Sequence, residues 1–436
     1  NSPRRPRMLT FFSSQNEKLD SWFFWYYLLH GIQAVIAWPN GWFHTEPGPI
    51  APHIARLKPV FEEIQGPISE IFVDPKSRFV ADPIGIYYSH PSIQAGWAMD
   101  ALSHGRTWPS RLSSIDNANQ SIGVLRKVWC KTFEDLGYQY DFVSYLDVME
   151  KKVDLSRFKV LVIPKTICLS DKEAEALTEF VEGGGVLIAD YLCGVMDEHG
   201  KGRELGVLDT LFGITREESS GYQNGKDLVE IDAEMYKQPF QKRIRNRGPI
   251  YKDIAVFERG LKANIGTEHI KVSNGGWFAG ATTVNCSRKV KQGTAVYLNL
   301  SPLEYWADAN RFGKQGRRWR GIVCAVLEEA GHRPRVRIFE KGTDANMLEA
   351  LFWRRRKENY LCVVKNPTER TEDTVIHGRT SVTNINGEEE QIRIEFADPV
   401  SLVNLRSGKN LGYGSIFEDR FLPWEANVYK MECISK

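Results

Sequence analysis

The sequence predicts an α/β multidomain chain. Through its middle, short apolar runs suited to buried parallel strands alternate with helix patterns. After Pro334 the pattern changes to short strands separated by turn residues. A length of 436 residues also exceeds one ordinary core, at roughly 150 residues per domain.

The first part reads as strand, helix, strand. Arg7 to Ser14 is short and β-prone, Asn16 caps a helix from Glu17 to His30, and Gly31 ends it before a strand from Ile32 to Trp38. Trp22 to Leu29 is continuously apolar, so this helix must be covered on more than one side. A parallel pair cannot bury both its faces alone, so residues upstream or a second chain are expected to complete the layer. A Pro-rich loop and a helix from about Ala51 to Ile71 follow, with a domain boundary near residue 80.

Pro83 to Ser89 opens the central layer. A helix from about Asn117 to Leu136 stops at Gly137, and strands are expected over Tyr138 to Ser144, Lys159 to Pro164 and Val186 to Asp190. Ser170 and Glu173 form a capping box for a helix from Asp171 to Val181, ended by Gly183 to Gly185. This is the pattern of a doubly wound layer. Between about Thr215 and Asn310 the strands become shorter and more polar, with a hairpin of Thr282 to Arg288 and Thr294 to Leu300 turning at Gln292-Gly293. A helix from Arg318 to Ala330 closes the layer. Strands are expected at Leu348 to Arg354, Asn359 to Lys365, Gln391 to Phe396, Ser401 to Leu405 and Asn427 to Cys433, as a small antiparallel sandwich.

Composition excludes several classes. With 42% hydrophobic and 26% charged residues the chain is neither disordered nor a coiled coil. Lys and Arg number 57 against 55 Asp and Glu, so no global field recruits nucleic acid or an anionic membrane. The Arg-rich stretches at Arg4 to Arg7, Arg317 to Arg320 and Arg354 to Arg356 read as solvated faces or salt-bridge partners. Seven scattered cysteines without a C-x-x-C pair indicate neither a disulfide framework nor a zinc site. No apolar run reaches the roughly 18 residues of a membrane span, and no leader pattern opens the chain. A soluble protein is expected, cytoplasmic rather than secreted. No cofactor or metal motif occurs, whether P-loop, dinucleotide fingerprint, H-E-x-x-H or EF-hand.

The order of these parts resembles the later portion of a family-42 glycoside hydrolase of the β-galactosidase type. Gly31-Ile-Gln-Ala-Val-Ile-Ala-Trp38 is similar to that family's eighth barrel strand. Phe158 to Pro164 with Ser170 to Asp190, Tyr191 to Glu198 and Lys291 to Leu298 resemble its amidotransferase-like trimerisation domain. Val403 to Gly412 and Pro423-Trp424-Glu425 resemble its C-terminal sandwich. The resemblance implies the last βα units of a (β/α)8 barrel at 1–80, an amidotransferase-like, flavodoxin-like trimerisation domain with a β-rich insertion at 81–335, and a β-sandwich at 336–436. It further implies retaining hydrolysis of a glycosidic bond, a carbohydrate substrate and a homotrimer. A full barrel needs about 250 residues. The rest of it, with one of the two carboxyl groups, is therefore expected from an upstream segment or a second chain.

Glycoside hydrolysis needs two carboxyl groups flanking the scissile bond, and barrel sites lie at the C-terminal ends of strands. Glu17 follows the presumed seventh strand and is the candidate nucleophile; it also suits the first helical turn, where a carboxylate faces exposed amides. In this family the nucleophile stands farther ahead of the last strand, which places it upstream of Asn1 as the other option. Trp38, Trp42, His44 and Glu46 in the following loop combine aromatic faces with hydrogen-bonding groups and are the candidate sugar contacts. Trp38 and Trp42 are equally suited to plugging the barrel end and packing under the next helix.

Two other functions stay open. One is a catalytically inactive carbohydrate-binding or assembly subunit. The other is an amidotransferase-type enzyme using Cys193, which follows a strand but lacks the first glycine of a G-x-C-x-G turn. Glu304 stands where a His-x-Glu pair belongs, without the histidine, so Cys193 reads as a buried structural thiol.

Overall fold

A computed structural model describes residues 8–12, 17–37, 48–103, 121–216, 250–251, 254–258, 260–273, 280–306, 314–340, 348–365 and 388–432. Strands β1 (Met8–Phe12) and β2 (Ile32–Ala37) form a two-stranded parallel sheet, connected through the helix Glu17–Leu29. Gly31, at φ 79°, takes the left-handed turn between helix and strand.

The helix finds its cover inside the chain. Leu19, Trp22, Trp25 and Leu29 pack on the C-terminal sheet, and Phe24 packs on Ala51, Ile54 and Leu57. The cover that its aromatic load requires is thus supplied by the chain itself. The strands differ: Gln33, Ala34 and Ile36 of β2 are exposed. The single helix expected from Ala51 to Ile71 is instead divided into Pro52–Arg56, Lys58–Ile64, a 3₁₀ turn at Pro67–Ser69 and Glu70–Val73. Pro52, Pro59 and Pro67 each stand at the start of a segment, because proline begins a helix but cannot donate to the preceding turn.

Short β3 (Ser77–Phe79) joins the C-terminal sheet, whereas β4 (Ile84–Tyr88) enters the central one. With β5 (Asp141–Ser144), β6 (Val160–Ile163) and β7 (Val186–Asp190), β4 lies in a seven-stranded sheet. Four short strands follow: β8 (Ile214–Thr215), β9 (Ile250–Tyr251), β10 (Ile254–Val256) and β11 (Lys262–Ala263). Then come β12 (Glu268–Ser273), β13 (Ala281–Val290), β14 (Gly293–Leu298) and β15 (Leu300–Ser301).

The central sheet runs β12-β13-β14-β7-β6-β4-β5 and is parallel from β14 to β5. Taking its parallel strands in chain order gives 2-1-3-4-5, the flavodoxin-like doubly wound order. Every residue of β6, β7 and β14 is buried, because separate cores of helix and loop side chains cover the two faces. The Ser170–Glu173 capping box forms, and the helix Asp171–Glu182 follows it. The helix His90–Ser103 has no counterpart in the sequence-based reading.

The C-terminal strands are β16 (Val336–Glu340), β17 (Leu348–Arg355), β18 (Glu358–Lys365), β19 (Glu390–Asn404), β20 (Asn410–Phe421) and β21 (Ala426–Glu432). Their hydrogen bonds run through one continuous sheet rather than two stacked ones. The two strands expected over Gln391 to Leu405 are a single β19, whose register shifts between Glu395 and Val400. Such an irregularity bends a strand and lets one sheet coil over its own core. Side chains alternate accordingly: Leu361 and Val363 enter that inner core, while Cys362 and Val364 face the helix Glu17–Leu29. No helix among the described residues is long and apolar enough to cross a membrane.

Candidate functional site

The parallel register pairs Phe12 with Ala37, so the chain leaves β1 and β2 at the same edge. In a parallel βα arrangement this C-terminal edge is where binding loops gather. Glu17 opens the helix next to it, and its carboxylate is ion-paired with the Arg56 guanidinium on the segment Pro52–Arg56. Both side chains remain about half exposed. His53 lies one turn before Arg56; burial and the Arg56 charge lower its pKa from the ordinary value, with Glu17 opposing. The cluster therefore places an ion pair beside an imidazole held towards its neutral form.

The sequence-based reading missed His53 and Arg56. Their signal was available: Pro52 starts a short helix directly after the candidate sugar-contact loop, and positions three apart share a face. Trp38, Trp42, His44 and Glu46 lie outside the described residues, as do Ser13 and Ser14. Among the described residues no group of three His, Cys, Asp or Glu side chains is placed to hold a metal ion.

At the C-terminal end of β7 the chain makes the sharp turn that drew attention to Cys193. Two residues of that turn are left-handed, Leu192 at φ 64° and Gly194 at φ 65°, one on either side of the cysteine. The Leu192 amide donates to Glu258 Oε1 at 2.9 Å. Arg216 donates through Nε to Glu258 Oε2 at 2.8 Å and through Nη2 to the Tyr297 hydroxyl at 2.9 Å, and it pairs with Asp209. The Tyr297 hydroxyl in turn donates to Glu258. Cys193 lies fully buried beneath this network, and burial pushes its thiol far up. The charges bearing on it are those of Arg216, Asp190 and Glu258, with no imidazole among them. A nucleophilic thiol needs the opposite surroundings, partly exposed and next to a proton acceptor. This corner is packing, not an amidotransferase site.

Residues 125–308 match the family model described as the β-galactosidase trimerisation domain. The β-galactosidase BgaB of Geobacillus sp. (strain Y412MC61) is 28% identical over 178 residues, which is 39% of this chain and 22% of that protein. The β-galactosidase GanA of Bacillus subtilis (strain 168) is 28% identical over 96 residues, covering 21% of this chain and 14% of GanA. Among solved structures, a β-galactosidase from Bacillus circulans sp. alkalophilus superposes with a TM-score of 0.61 at 15% identity, over 96% of this chain and 52% of that one. A catalytic mutant of Gan42B, a GH42 β-galactosidase from G. stearothermophilus, gives 0.58 at 17% identity, over 95% and 51%. The chain thus spans about half the length of these structures and under a quarter of the curated relatives. The structural likeness shows a shared fold, and the named relatives are glycoside hydrolases.

Proposed function

We propose, from the premise that this chain is a family-42-type β-galactosidase-like protein, that it is the later portion of a glycoside hydrolase. The observation that carries this is the order of its parts. A parallel βα unit presents Glu17 at its C-terminal edge, a stretch matching the trimerisation model follows, and a coiled antiparallel sheet comes last. We assign these to the end of a (β/α)8 barrel at 1–80, the trimerisation domain at 81–335 and the C-terminal β domain at 336–436. Assembly as a homotrimer is part of the same proposal, and completion of the barrel by further strands is required for turnover.

In this reading Glu17 is the nucleophile. It attacks the anomeric carbon while a protonated carboxyl group outside this chain passes its proton to the departing glycosidic oxygen. Water, deprotonated by that same group, then releases the sugar with retained configuration. The Arg56 guanidinium is the ion-pair partner of the Glu17 carboxylate. Trp38 and Trp42 stack on the sugar, and His44 and Glu46 bond its hydroxyls.

A second reading rests on the same ion pair. Glu17 already has a partner and stands in the first turn of a helix, and the residues directly after β1 are Ser13 and Ser14, not carboxylates. That suits a carbohydrate-binding or assembly subunit without turnover. The test is Glu17→Gln in the native particle, assayed on a nitrophenyl β-galactoside alongside galactose binding by calorimetry. The hydrolase reading expects turnover to fall by at least about 10³-fold with binding kept. Unchanged turnover places the nucleophile elsewhere, and galactose binding without turnover in the unmodified protein establishes the second reading.

A further inference from the structure

Away from the sheet edge, His30 ends the helix Glu17–Leu29 at a junction of all three parts of the chain. Its Nδ1 lies 2.7 Å from the Tyr26 carbonyl oxygen, and its Nε2 lies 3.1 Å from Glu349 Oε1 on β17. The same Oε1 accepts from the Gln139 amide at 3.0 Å, and that amide also donates to the Ala350 carbonyl at 3.0 Å. Gln139 belongs to the central layer, His30 to the N-terminal unit and Glu349 to the C-terminal sheet. Glu349 and Gln139 are buried, at 1% and 4% exposure.

Both ring nitrogens of His30 thus face acceptors. A neutral imidazole carries one N–H and one lone pair, so it satisfies only one of them. The imidazolium satisfies both. The surrounding charges agree. The helix Ser121–Asp135 brings Lys131 and Glu134, bonded to each other at 2.6 Å, along with Cys130; Tyr140 donates to Glu134 at 2.8 Å. From its own helix His30 is faced by Tyr26, whose ring lies tilted against the imidazole with centroids 4.0 Å apart, with Tyr27 beyond it. With His30 protonated, two cations balance Glu349 and Glu134. Without that proton the junction holds a buried net negative charge, which is costly.

We propose that His30 and Glu349 form a pH-sensitive latch that docks the N-terminal βα unit onto the central layer and the C-terminal sheet. Burial opposes both charges, but each partner overcomes it: the pKa of His30 is raised and that of Glu349 lowered. For His30 the docking contribution is complete below the unfolded value of about 6.5 and is lost as pH rises through the higher folded value. Glu349 contributes the mirror case, with stability present above its unfolded value and lost only on strong acidification. The latch is therefore closed at mildly acidic pH and opens as pH rises through the folded value of His30. It does not depend on catalysis by the chain.

Histidine C2 hydrogen–deuterium exchange, read by mass spectrometry on the full chain, reports each histidine separately. The latch requires a His30 midpoint above the unfolded value of about 6.5, and a midpoint at or below it overturns the latch. Amide exchange of the peptide spanning residues 17–29, corrected for intrinsic rates, should lose at least tenfold in protection between pH 6 and pH 9. In His30→Gln and Glu349→Gln that pH dependence should vanish. If neither variant folds, the wild-type profile decides, since protection that stays constant across this range also overturns the latch.

Discussion

Gly293 illustrates how a single residue carries two different explanations. In the sequence, Gln292-Gly293 reads as the turn of a hairpin. The folded chain places the left-handed turn residue at Lys291 instead, with φ 49°. What Gly293 provides is closeness: a Cβ there would stand 2.0 Å from the Val181 carbonyl oxygen and 2.4 Å from that of Gly185. Backbone atoms cannot step aside as a flexible side chain can. Gly293→Ala is therefore expected to cost roughly 1–3 kcal/mol through forced movement of β14 against the end of the helix Asp171–Glu182. Urea denaturation with an unchanged m-value checks this, and a cost below about 0.5 kcal/mol contradicts it. Cys193 shows the same limit. Its place after a strand was legible, but whether a thiol is exposed or buried under Arg216 and Glu258 depends on residues far away in sequence.

Elements built from local signals were the most legible. The strands β6 and β7 are buried throughout, so they wrote uninterrupted apolar runs into the sequence. The helix Asp171–Glu182 announced its start through Ser170, whose hydroxyl accepts from the Glu173 amide at 3.3 Å, while Glu173 Oε2 accepts from the Ser170 amide at 2.8 Å. Glu173 is also tied to the Tyr87 hydroxyl at 2.5 Å, so the cap links this helix to β4. Ser170→Ala is expected to destabilise the protein by about 1 kcal/mol, and Ser170→Thr to restore most of it; thermal melts of the pair test the cap. The helix His90–Ser103 escaped because its apolar residues mark no single face. The segment 52–73 was overread as one helix because its apolar spacing is helical while its prolines impose restarts. The long β19 was divided in two because its register shift interrupts the alternation.

At the scale of the whole molecule, the N-terminal helix and the last sheet are fastened by contacts that no local pattern reveals. Trp22 Nε1 donates to the Lys365 carbonyl at 3.1 Å, and Trp353 Nε1 donates to the Leu29 carbonyl at 2.8 Å. Arg406 lies over the Trp25 ring at 4.4 Å, bonds Glu425 at 2.6 Å and holds Glu63 through two nitrogens. Arg406→Ala removes the stack and leaves two carboxylates without their cation, an expected loss of about 2 kcal/mol. Arg406→Lys should recover only part of it, because an ammonium cannot reproduce the fork. Calorimetric melts of both variants check this, and a Lys variant as stable as the wild type would contradict the forked geometry. The aromatic load of Trp22 to Leu29 told that the helix must be covered; only the fold shows that β17, β18 and β21 cover it. That arrangement also sets a timetable for synthesis. The helix leaves the ribosome with its tryptophans bare, and the strands that shelter them are made more than three hundred residues later. At roughly 5–20 residues per second the exposed helix waits tens of seconds, a nascent-chain liability that invites chaperone capture or premature association.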